Sequence, residues 1–330
     1  MKRILVARSG ALGDVIMATP LLKRIRSACP DAGISFLTGK WSAAALLNNP
    51  NVDKVMEFDD SIISKKSISG MYHLRQKIRE QHFDACFILD KSWIWGLFFL
   101  LCGIRERRGF ARGWEGIFHT MAVSFKGDKY EAGCNLDLLP EAKGEKEEAP
   151  ELFPGKEEID KAGRRMKELK GAIGIAPGGA SNPGQNALLK RWPKENYIAL
   201  CDSVKKPVVI FGSSDDKGIA QEIMKKTSHS NIHDVTGASI GESKEMMEHC
   251  SCIITHDSGA LHIASATKTR IIALFGPTPK ERFAPGNARV IASKSPPCYT
   301  IYGKFVNSKS RQMEEITVKS VIAEMQRSEV

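Results

Sequence analysis

The sequence predicts an α/β protein built from two Rossmann-like domains in tandem. Its 330 residues are enough for two domains, each with a core of its own. In both halves, short apolar segments alternate with helix-like segments, which is typical of parallel sheets covered by helices on both faces. Between the halves, residues 126–156 are rich in Glu, Lys, Gly and Pro, and this composition indicates an exposed connection.

The first half contains strand-like segments separated by helices. Pro30 and Pro50 each follow a helix-like segment, and proline cannot continue a helix. The strands are predicted at residues 3–7, 33–39, 52–58 and 83–90 and near 105–111, and the helices at 19–29, 41–49 and 68–81.

The second half repeats this alternation. Pro193 opens one of its helices at the first turn, where proline is favoured. Ligands of such sheets bind at the carboxyl ends of the strands, so the cleft between two facing domains is the expected site. The strands are predicted at 171–177, 207–216, 232–237, 252–259 and 270–277, and the helices at 193–204, 217–227, 243–250, 261–267 and 318–327.

The composition, 42% hydrophobic and 26% charged, is typical of a globular protein. The longest apolar run, residues 92–104, is shorter than the roughly 18 residues that cross a bilayer, and it predicts a core or interfacial helix. The chain opens directly on a strand-like segment without a signal peptide, so we expect a cytoplasmic protein. None of the eight cysteines forms a CxxC pair, so we expect reduced thiols and no metal site.

The net charge of +10 and the pI near 9.1 favour an anionic partner. No basic helix carries interleaved aromatic residues, so nucleic acid is not the expected partner. A phosphorylated small molecule remains, as does an anionic membrane leaflet that the apolar segment 93–101 would contact. The alternative is a basic surface that is simply solvated.

The most informative motif is "THDSGALHIASA", residues 255–266. A buried strand is predicted to end there, and Asp257 or Ser258 is a suitable N-cap for the helix that follows. The free N–H groups and the dipole of that helix suit a phosphate, and Gly259 allows close approach of a ligand. His262 lies one turn further on and is expected to face the same pocket. The alternative is a capped helix with a half-buried histidine.

A second motif is the loop within "APGGASNPGQNALLKRWPKENY", residues 176–197. It contains Gly178, Gly179 and Gly184, and it ends in Lys190 and Arg191, just before a helix. Helix dipoles disfavour cations at that end, so an anionic ligand is one explanation of the two charges and surface charge is the other. The spacing does not match a Walker A loop.

A third motif, "FGSSDDKG" at residues 211–218, also follows a strand. Either Asp216 or Asp215 is a candidate for hydrogen bonds with a ribose diol, and helix capping is the alternative.

Two motifs of the first half carry charge. In "RSGALGDVIMATP", residues 8–20, the glycines do not match the GxGxxG spacing of dinucleotide sites, and Asp14 is either a helix cap or a general base. In residues 103–114, arginines crowd together, as in sites for phosphate or carboxylate groups; a solvated loop is the alternative. These arginines are Arg105, Arg107, Arg108 and Arg112.

Together these motifs resemble glycosyltransferase family 9, the ADP-heptose:lipopolysaccharide heptosyltransferases. The stretch "ILVARSGALGDVIMATPLLKRIRSACP" is similar to the N-terminal signature of the family. The stretches "KRWP", "FGSSDD", "THDSGALHIASA" and "ALFGPTP" are similar to its C-terminal half. The resemblance covers nearly the whole chain and keeps the order of the elements.

The resemblance implies a GT-B fold, in which two Rossmann-like domains enclose a cleft. Residues 1–160 would bind the acceptor, residues 161–315 the nucleotide sugar, and residues 316–330 would form a helix that packs back toward the first domain. It also implies inverting, metal-independent transfer of heptose from ADP-heptose to inner-core lipopolysaccharide at the cytoplasmic membrane face, without a cofactor.

The same resemblance assigns the site residues. Asp14 would be the base and Lys190 would neutralise the departing diphosphate. The expected donor-binding residues are Gly178, Lys190, Asp216, Asp257, Ser258, Gly259 and His262, and the expected acceptor-binding residues are Gly13, Arg105, Arg108 and Arg112.

Three other functions remain open at this point. One is transfer of another nucleotide-activated sugar to a surface glycan. Another is a non-catalytic protein that binds a sugar nucleotide, which the presence of both Asp14 and the donor-side residues disfavours. The last is an NAD-dependent enzyme, which the absence of GxGxxG disfavours.

Overall fold

The computed structural model describes residues 2–65, 67–142, 149–179, 181–182, 185–186, 188–307 and 309–327. The chain divides into two compact units, Met1–Phe153 and Pro154–Val330. The expected boundary at residue 160 therefore moves by a few residues, because α7 (Lys156–Met166) belongs to the second unit.

The first unit contains the strands β1 (Arg3–Ala7), β2 (Gly33–Gly39), β3 (Lys54–Phe58), β4 (Ala85–Ile88), β5 (Glu106–Ala111) and β6 (Met121–Ser124). Over the described residues, they form one parallel sheet in the order β3-β2-β1-β4-β5-β6. The strands β1 and β4 lie at its centre and are almost entirely buried, since helices cover both faces of a parallel sheet.

The helices of the first unit are α1 (Leu12–Ile16), α2 (Thr19–Ala28), α3 (Ser61–Ser64), α4 (Ile68–Arg79), α5 (Trp93–Leu101) and α6 (Glu131–Leu136). Single 3₁₀ turns occur at Ala43–Leu46, Trp114–Phe118 and Pro140–Ala142. The helix predicted at 41–49 is thus reduced to one 3₁₀ turn.

The exposed connection predicted at 126–156 is wrong over its first part. There, α6 packs against α2, and Ala132, Leu138 and Leu139 are buried. Residues 143–148 of the predicted connection lie outside the described residues.

The second unit contains the strands β7 (Ile173–Ala176), β8 (Ser181–Asn182), β9 (Gln185–Asn186), β10 (Val208–Ile210), β11 (Ile232–Asp234), β12 (Cys252–His256), β13 (Ile271–Phe275) and β14 (Ala288–Ala292). Among the described residues, six of these strands form a parallel sheet in the order β11-β10-β7-β12-β13-β14. The short strands β8 and β9 form a separate antiparallel pair.

The helices of the second unit are α7, α8 (Lys194–Asp202), α9 (Lys217–Lys226), α10 (Ile240–Glu248), α11 (Gly259–Ser265), α12 (Lys280–Phe283) and α13 (Val318–Gln326). Single 3₁₀ turns occur at Leu188–Lys190, Ser214–Asp216 and Gln312–Glu315.

The C-terminal helix α13 packs on the second unit, and its expected packing toward the first domain stays a prediction. It contacts α8 and β13, and its Val321 is fully buried in the core of that unit. Just before it, the carbonyl of Ile316 accepts a hydrogen bond of 2.8 Å from Nε1 of the buried Trp192. Burial of apolar side chains therefore holds the helix on its own unit.

Both sheets reverse their winding direction at the centre. In the first unit, the chain builds β1, β2 and β3 outward in one direction and then returns to place β4 on the other side of β1. In the second unit, β12 returns beside β7 in the same way. The loops that follow the two central strands diverge at such a point and leave a crevice, where ligands of doubly wound sheets bind.

All eight cysteines lie within the described residues, and all are free thiols. Cys29 and Cys298 are partly exposed, and the other six are buried. Burial raises the pKa of Cys134 and of Cys250 to about 12, so these thiols are unreactive at neutral pH. Within the described residues, no helix is both long and apolar enough to span a membrane.

Candidate functional site

In the first unit, Asp14 lies at the central crevice, in the first turn of α1 directly after β1. Its Oδ2 accepts a hydrogen bond of 3.1 Å from the N–H of Ala11, so it caps the helix from the third position rather than as the N-cap. A Cβ atom on Gly10 would lie 2.3 Å from the same oxygen. Glycine at position 10 therefore allows the carboxylate to fold back over the loop.

The other carboxylate oxygen of Asp14 contacts Arg8, a residue that the sequence analysis did not assign. The Nη2 of Arg8 lies 2.8 Å from Oδ1 of Asp14, and Nη1 lies 3.5 Å from Oδ1 of Asp90. Burial lowers the pKa of Arg8, but the charges of Asp14, Asp90 and Glu131 raise it by more, so the guanidinium stays charged.

Asp90 follows β4 and is itself held in place. Its Oδ2 accepts a hydrogen bond of 2.8 Å from the N–H of Ser9, and its Oδ1 accepts one of 2.7 Å from the Ser9 hydroxyl. The hydroxyl in turn accepts a hydrogen bond of 3.1 Å from Nε1 of Trp95 in α5. Hydrogen bonds from Ser9 to the side chain of Asp90 therefore join the loop after β1 to the loop after β4.

A buried ion pair between Lys91 and Glu131 lies beside this network. The Lys91 ammonium also lies 5.0 Å from the ring centroid of Phe110 and 4.6 Å from that of Phe125. Burial lowers the pKa of Lys91, and the Glu131 carboxylate partly offsets this effect. Arg112, which follows β5, donates a hydrogen bond to the carbonyl of Lys91.

The arginines predicted to form one acceptor-binding cluster are separated in the structure. Arg108 is buried and makes a two-pronged ion pair with Glu141, with both N–O distances at 3.0 Å, so it holds the fold together. Arg105 is exposed and precedes β5, at the opposite edge of the sheet from Asp14. Only Arg112 follows the carboxyl end of the strand. Gly13 is buried within α1.

In the second unit, Asp216 ties together the loops that follow β7 and β10. Its Oδ1 accepts a hydrogen bond of 2.8 Å from the N–H of Gly179, and its Oδ2 accepts bonds of 2.8 Å from both the N–H and the hydroxyl of Ser213. Arg191 lies 3.5 Å from the same carboxylate and donates to the carbonyl of Gly179. These contacts engage both oxygens and make Asp216 a brace between the two loops, and its predicted contact with a ribose stays a prediction. The neighbouring Asp215 is exposed.

Two glycines make room for this brace. A Cβ atom on Gly178 would lie 2.2 Å from the carboxyl carbon of Asp216. Gly179 has a φ of +79°, in the left-handed region that other residues rarely adopt. Glycine at position 178 thus avoids a clash with Asp216, and glycine at position 179 adopts its backbone conformation without strain.

The structure brings Lys190, Asp257 and His262 together, as the sequence predicts. The Nζ of Lys190 lies 2.9 Å from Oδ2 of Asp257, and Nε2 of His262 lies 3.9 Å from Oδ1. Burial raises the pKa of Asp257, but the Lys190 and His262 charges lower it by more, so the carboxyl is ionised. The Lys190 ammonium also lies 5.7 Å from the ring centroids of Phe283 and Tyr299.

Ser258 and Gly259 form the start of α11 directly after β12. Ser258 has the extended backbone of an N-cap, but its side chain does not cap the helix. Its hydroxyl instead lies 3.3 Å from that of Thr255. The first N–H groups of a helix have no acceptor within the helix, so they remain suited to an anion here.

His256 is a buried residue of this site that the sequence analysis did not single out. Its Nδ1 lies 3.4 Å from the hydroxyl of Tyr197, which lies 3.2 Å from the carbonyl of Ala176. Burial lowers the pKa of His256 to about 4, so the ring is neutral at physiological pH. Since the tyrosine hydroxyl donates to the carbonyl, it accepts from Nδ1–H of the ring.

The comparisons with known proteins assign the chain to a family. The sequence model of glycosyltransferase family 9 (heptosyltransferase) matches residues 71–304, which is more than half of the chain. The chain belongs to glycosyltransferase family 9. It is therefore an enzyme that transfers a sugar, and the resemblance seen in the motifs is confirmed.

The most similar relatives of this family 9 enzyme include two lipopolysaccharide enzymes. Lipooligosaccharide heptosyltransferase 2 of Haemophilus influenzae is 25% identical over 305 residues, which cover 83% of each chain. Lipopolysaccharide heptosyltransferase 2 of Escherichia coli is 23% identical over 322 residues, which cover 88% of this chain and 87% of the relative. The function is therefore heptosyltransferase-like.

Solved structures share the fold. The E. coli ADP-heptose lipopolysaccharide heptosyltransferase II superposes with a TM-score of 0.76 at 23% identity, covering 98% of this chain and 97% of that one. A family 9 glycosyltransferase from Veillonella parvula gives 0.77 at 21% identity, covering 98% and 95%. The predicted GT-B class, with two doubly wound α/β units, is thus confirmed.

The first prediction concerns the neutral His256. Because its pKa is about 4 in the fold and near 6.5 in the unfolded chain, the unfolded state binds the proton more readily in between. The stability due to the neutral ring is present above pH 6.5 and is lost as the pH falls toward 4. Between pH 7 and pH 5, we expect the wild type to lose about 2 kcal/mol more than His256→Asn. Denaturant unfolding followed by circular dichroism measures this difference, and equal losses would contradict it.

The second prediction concerns the crowding at Gly178. In Gly178→Ala, the added methyl group meets the Asp216 carboxylate, so we expect the free energy of unfolding to fall by roughly 1–3 kcal/mol. Gly163→Ala, in α7, is the matched control, because a Cβ atom there meets nothing within 4 Å. The control should be neutral or slightly stabilising. Equal stability of the two variants would show that the loop moves freely.

Proposed function

We propose that the protein transfers heptose from ADP-heptose to an inner-core lipopolysaccharide acceptor, with inversion at the anomeric carbon and without a metal or other cofactor. One observation carries the proposal: Lys190, Asp257 and His262 meet at the carboxyl ends of the central strands β7 and β12 of a family 9 enzyme. A glycine loop and a helix start lie at the same crevice, as a nucleotide diphosphate requires.

The second unit would hold the donor. The diphosphate gains negative charge as the bond to the sugar breaks, and Lys190 stabilises that charge electrostatically. Asp257 positions the Lys190 ammonium at 2.9 Å and remains ionised. The N–H groups of Ser258 and Gly259 are candidates for hydrogen bonds to phosphate oxygens.

The first unit would supply the base. Asp14 takes the proton of the acceptor hydroxyl as the hydroxyl oxygen attacks the anomeric carbon. The bond between that carbon and the diphosphate oxygen breaks, and ADP leaves with the bonding electrons. A positioned general base contributes about 10² to 10⁴ in rate. The cations that face this part of the crevice, Arg112 among them, suit the anionic groups of the acceptor.

The relatives support this donor and this acceptor. Their names describe lipopolysaccharide and lipooligosaccharide heptosyltransferases, and one E. coli heptosyltransferase of the same fold was solved with ADP. Transfer of another nucleotide-activated sugar is the nearest alternative. Calorimetry with ADP, UDP, GDP and NAD separates the two, since the proposal expects selective binding of ADP. Unchanged turnover in EDTA would support the prediction of metal-independent transfer.

The third prediction separates the two halves of the mechanism. Asp14→Asn should lower kcat about 10² to 10⁴-fold and leave the Kd of ADP unchanged, because the base does not contact the donor. Lys190→Met should weaken ADP binding and also lower kcat, by about 10² to 10³-fold, because it removes charge that faces the diphosphate. Stopped assays of heptose transfer and calorimetry with ADP measure these effects.

The control for Lys190 is Lys194→Met. Lys194 lies nearby in sequence but pairs with Glu222 at 2.7 Å, so its loss should change neither constant. Wild-type turnover in Asp14→Asn would refute the role of Asp14 as the base. Wild-type ADP affinity in Lys190→Met would refute the donor site.

We also propose a cytoplasmic location with peripheral contact to an anionic membrane leaflet, through an apolar face around α5. This α5 face consists of Trp93, Ile94, Leu101, Trp114 and Ile117, of which Trp114 is 62% and Ile117 72% exposed. The rings of Trp93 and Trp114 lie 5.7 Å apart. Tryptophan is favoured at the level of lipid headgroups.

Basic residues flank this face. Arg75 donates a hydrogen bond to the carbonyl of Leu101 at the end of α5, and the exposed Arg105 follows shortly after. Apolar side chains bordered by arginines complement an anionic lipid surface, where each cation contributes about 1 kcal/mol.

The fourth prediction tests this contact with lipid vesicles. The wild type should co-sediment at low salt with phosphatidylglycerol vesicles but not with phosphatidylcholine vesicles. The double variant Trp114→Ser/Ile117→Ser should lose most of the binding, whereas Tyr302→Ser/Val306→Ser, which removes exposed apolar groups from the second unit, should not. Failure of the wild type to bind at low salt, or equal binding by both variants, would refute the contact.

A further inference from the structure

Arg8 lies between two carboxylates, one from α1 after strand β1 and one from the loop after strand β4. One guanidinium nitrogen, Nη2, is 2.8 Å from Oδ1 of Asp14, and the other, Nη1, is 3.5 Å from Oδ1 of Asp90. Nη1 also donates a hydrogen bond of 3.1 Å to the carbonyl of Leu89. The side chains of Arg8, Asp14 and Asp90 are only 14%, 22% and 11% exposed, so water screens their interaction weakly.

The two carboxylates are fixed by the backbone as well as by Arg8. Asp14 accepts the N–H of Ala11, and Asp90 accepts both the N–H and the hydroxyl of Ser9. Neither side chain can follow Arg8 if the guanidinium moves, because each is anchored to its own loop. The geometry therefore makes Arg8 a cation shared by two fixed anions.

Other charges face this group from the elements packed around it. Glu131 of α6 acts on Arg8 as a further negative charge and pairs with Lys91, which follows β4. Lys91 faces both Arg8 and Asp14, and Arg112 reaches the carbonyl of Lys91 from the loop after β5. Three acidic and three basic side chains thus surround the crevice. The electrostatic effect of Arg8 on Asp14 depends on how Arg8 divides its contacts between Asp14 and Asp90.

We propose that Arg8 and Asp90 are positioning residues that set the basicity of Asp14: Arg8 orients its carboxylate, and Asp90 takes part of the charge of Arg8. An arginine paired with Asp14 alone would hold the carboxylate so firmly ionised that it would be a poor base. Because Asp90 also attracts the guanidinium, it weakens the electrostatic stabilisation of the ionised Asp14 without abolishing it.

Asp90 also provides a partner for Arg8 during the reaction. When Asp14 accepts the proton from the acceptor hydroxyl, its charge falls from −1 to zero, and Arg8 loses one of its two anions. Asp90 keeps its contact with the other end of the guanidinium. The buried cation therefore always has an anionic partner. A buried charge without such a partner would be costly.

This inference rests on the proposed role of Asp14 as the base, and the test is the pH dependence of kcat/KM. A neighbouring positive charge favours the ionised form of a carboxyl, and a neighbouring negative charge disfavours it. In Arg8→Gln, the acidic limb of the profile should move to higher pH by about one unit or more. In Asp90→Asn, it should move to lower pH, with a lower plateau rate at neutral pH because the base is weaker.

The opposite signs distinguish this role from a structural one, since loss of folding would not move the two limbs in opposite directions. Arg8→Lys keeps the positive charge, so its acidic limb should stay near that of the wild type. This variant can be measured if Arg8→Gln does not fold. Asp84→Asn is the matched control. Asp84 accepts the N–H groups of Lys2 and Arg3 at the opposite end of β1, so its loss should leave the limb in place.

The two proposals fail separately. Full activity of Asp14→Asn would refute Asp14 as the base and with it this inference. An inactive Asp14→Asn, together with acidic limbs that do not move in Arg8→Gln and Asp90→Asn or that move in the same direction, would refute the inference alone.

Discussion

The return of the chain to the centre of each sheet is the constraint on which both candidate sites depend. Parallel pairing of β4 beside β1, and of β12 beside β7, places the ends of strands that are far apart in sequence next to each other. The central strands are buried and mostly apolar, so most polar side chains of the two sites lie at or just beyond the strand ends. The loops there lie beyond the regular ladder of the sheet, so their side chains can bond to one another and to a ligand.

The same architecture carries opposite electrostatics in the two units. In the first unit, the crevice presents the carboxylate of Asp14, restrained by Arg8. In the second unit, it presents the ammonium of Lys190, restrained by Asp257. In both, the charge to which we assign a role is paired with an opposite charge that is more deeply buried. The loop nearby contains a glycine that allows a carboxylate to approach, Gly10 in the first unit and Gly178 in the second. The division matches a reaction in which one group accepts a proton and another stabilises a leaving diphosphate.

Local patterns in the sequence predicted what depends on neighbouring residues. The alternation of apolar strands and helices predicted both sheets, and the spacing in residues 255–266 placed Asp257 and His262 in one site. Such local patterns could not reveal the contact of Ser9 with Asp90. These residues are 81 positions apart and meet only because β1 pairs with β4. Crowding of arginines in sequence was misleading for a similar reason: a strand lies between Arg105 and Arg112, so they lie at opposite edges of the sheet. The buried segment around Leu138 was also missed, because its apolar residues are interspersed with charged ones.

The distribution of thiols offers a natural means of observing the two units together. Six of the eight cysteines are buried, whereas Cys29 of the first unit and Cys298 of the second are partly exposed. A maleimide dye at neutral pH would thus modify one position in each unit without any change to the sequence. Energy transfer between the two dyes would report the separation of the units during a catalytic cycle, and neither cysteine belongs to the residues that hold the proposed base or the proposed donor.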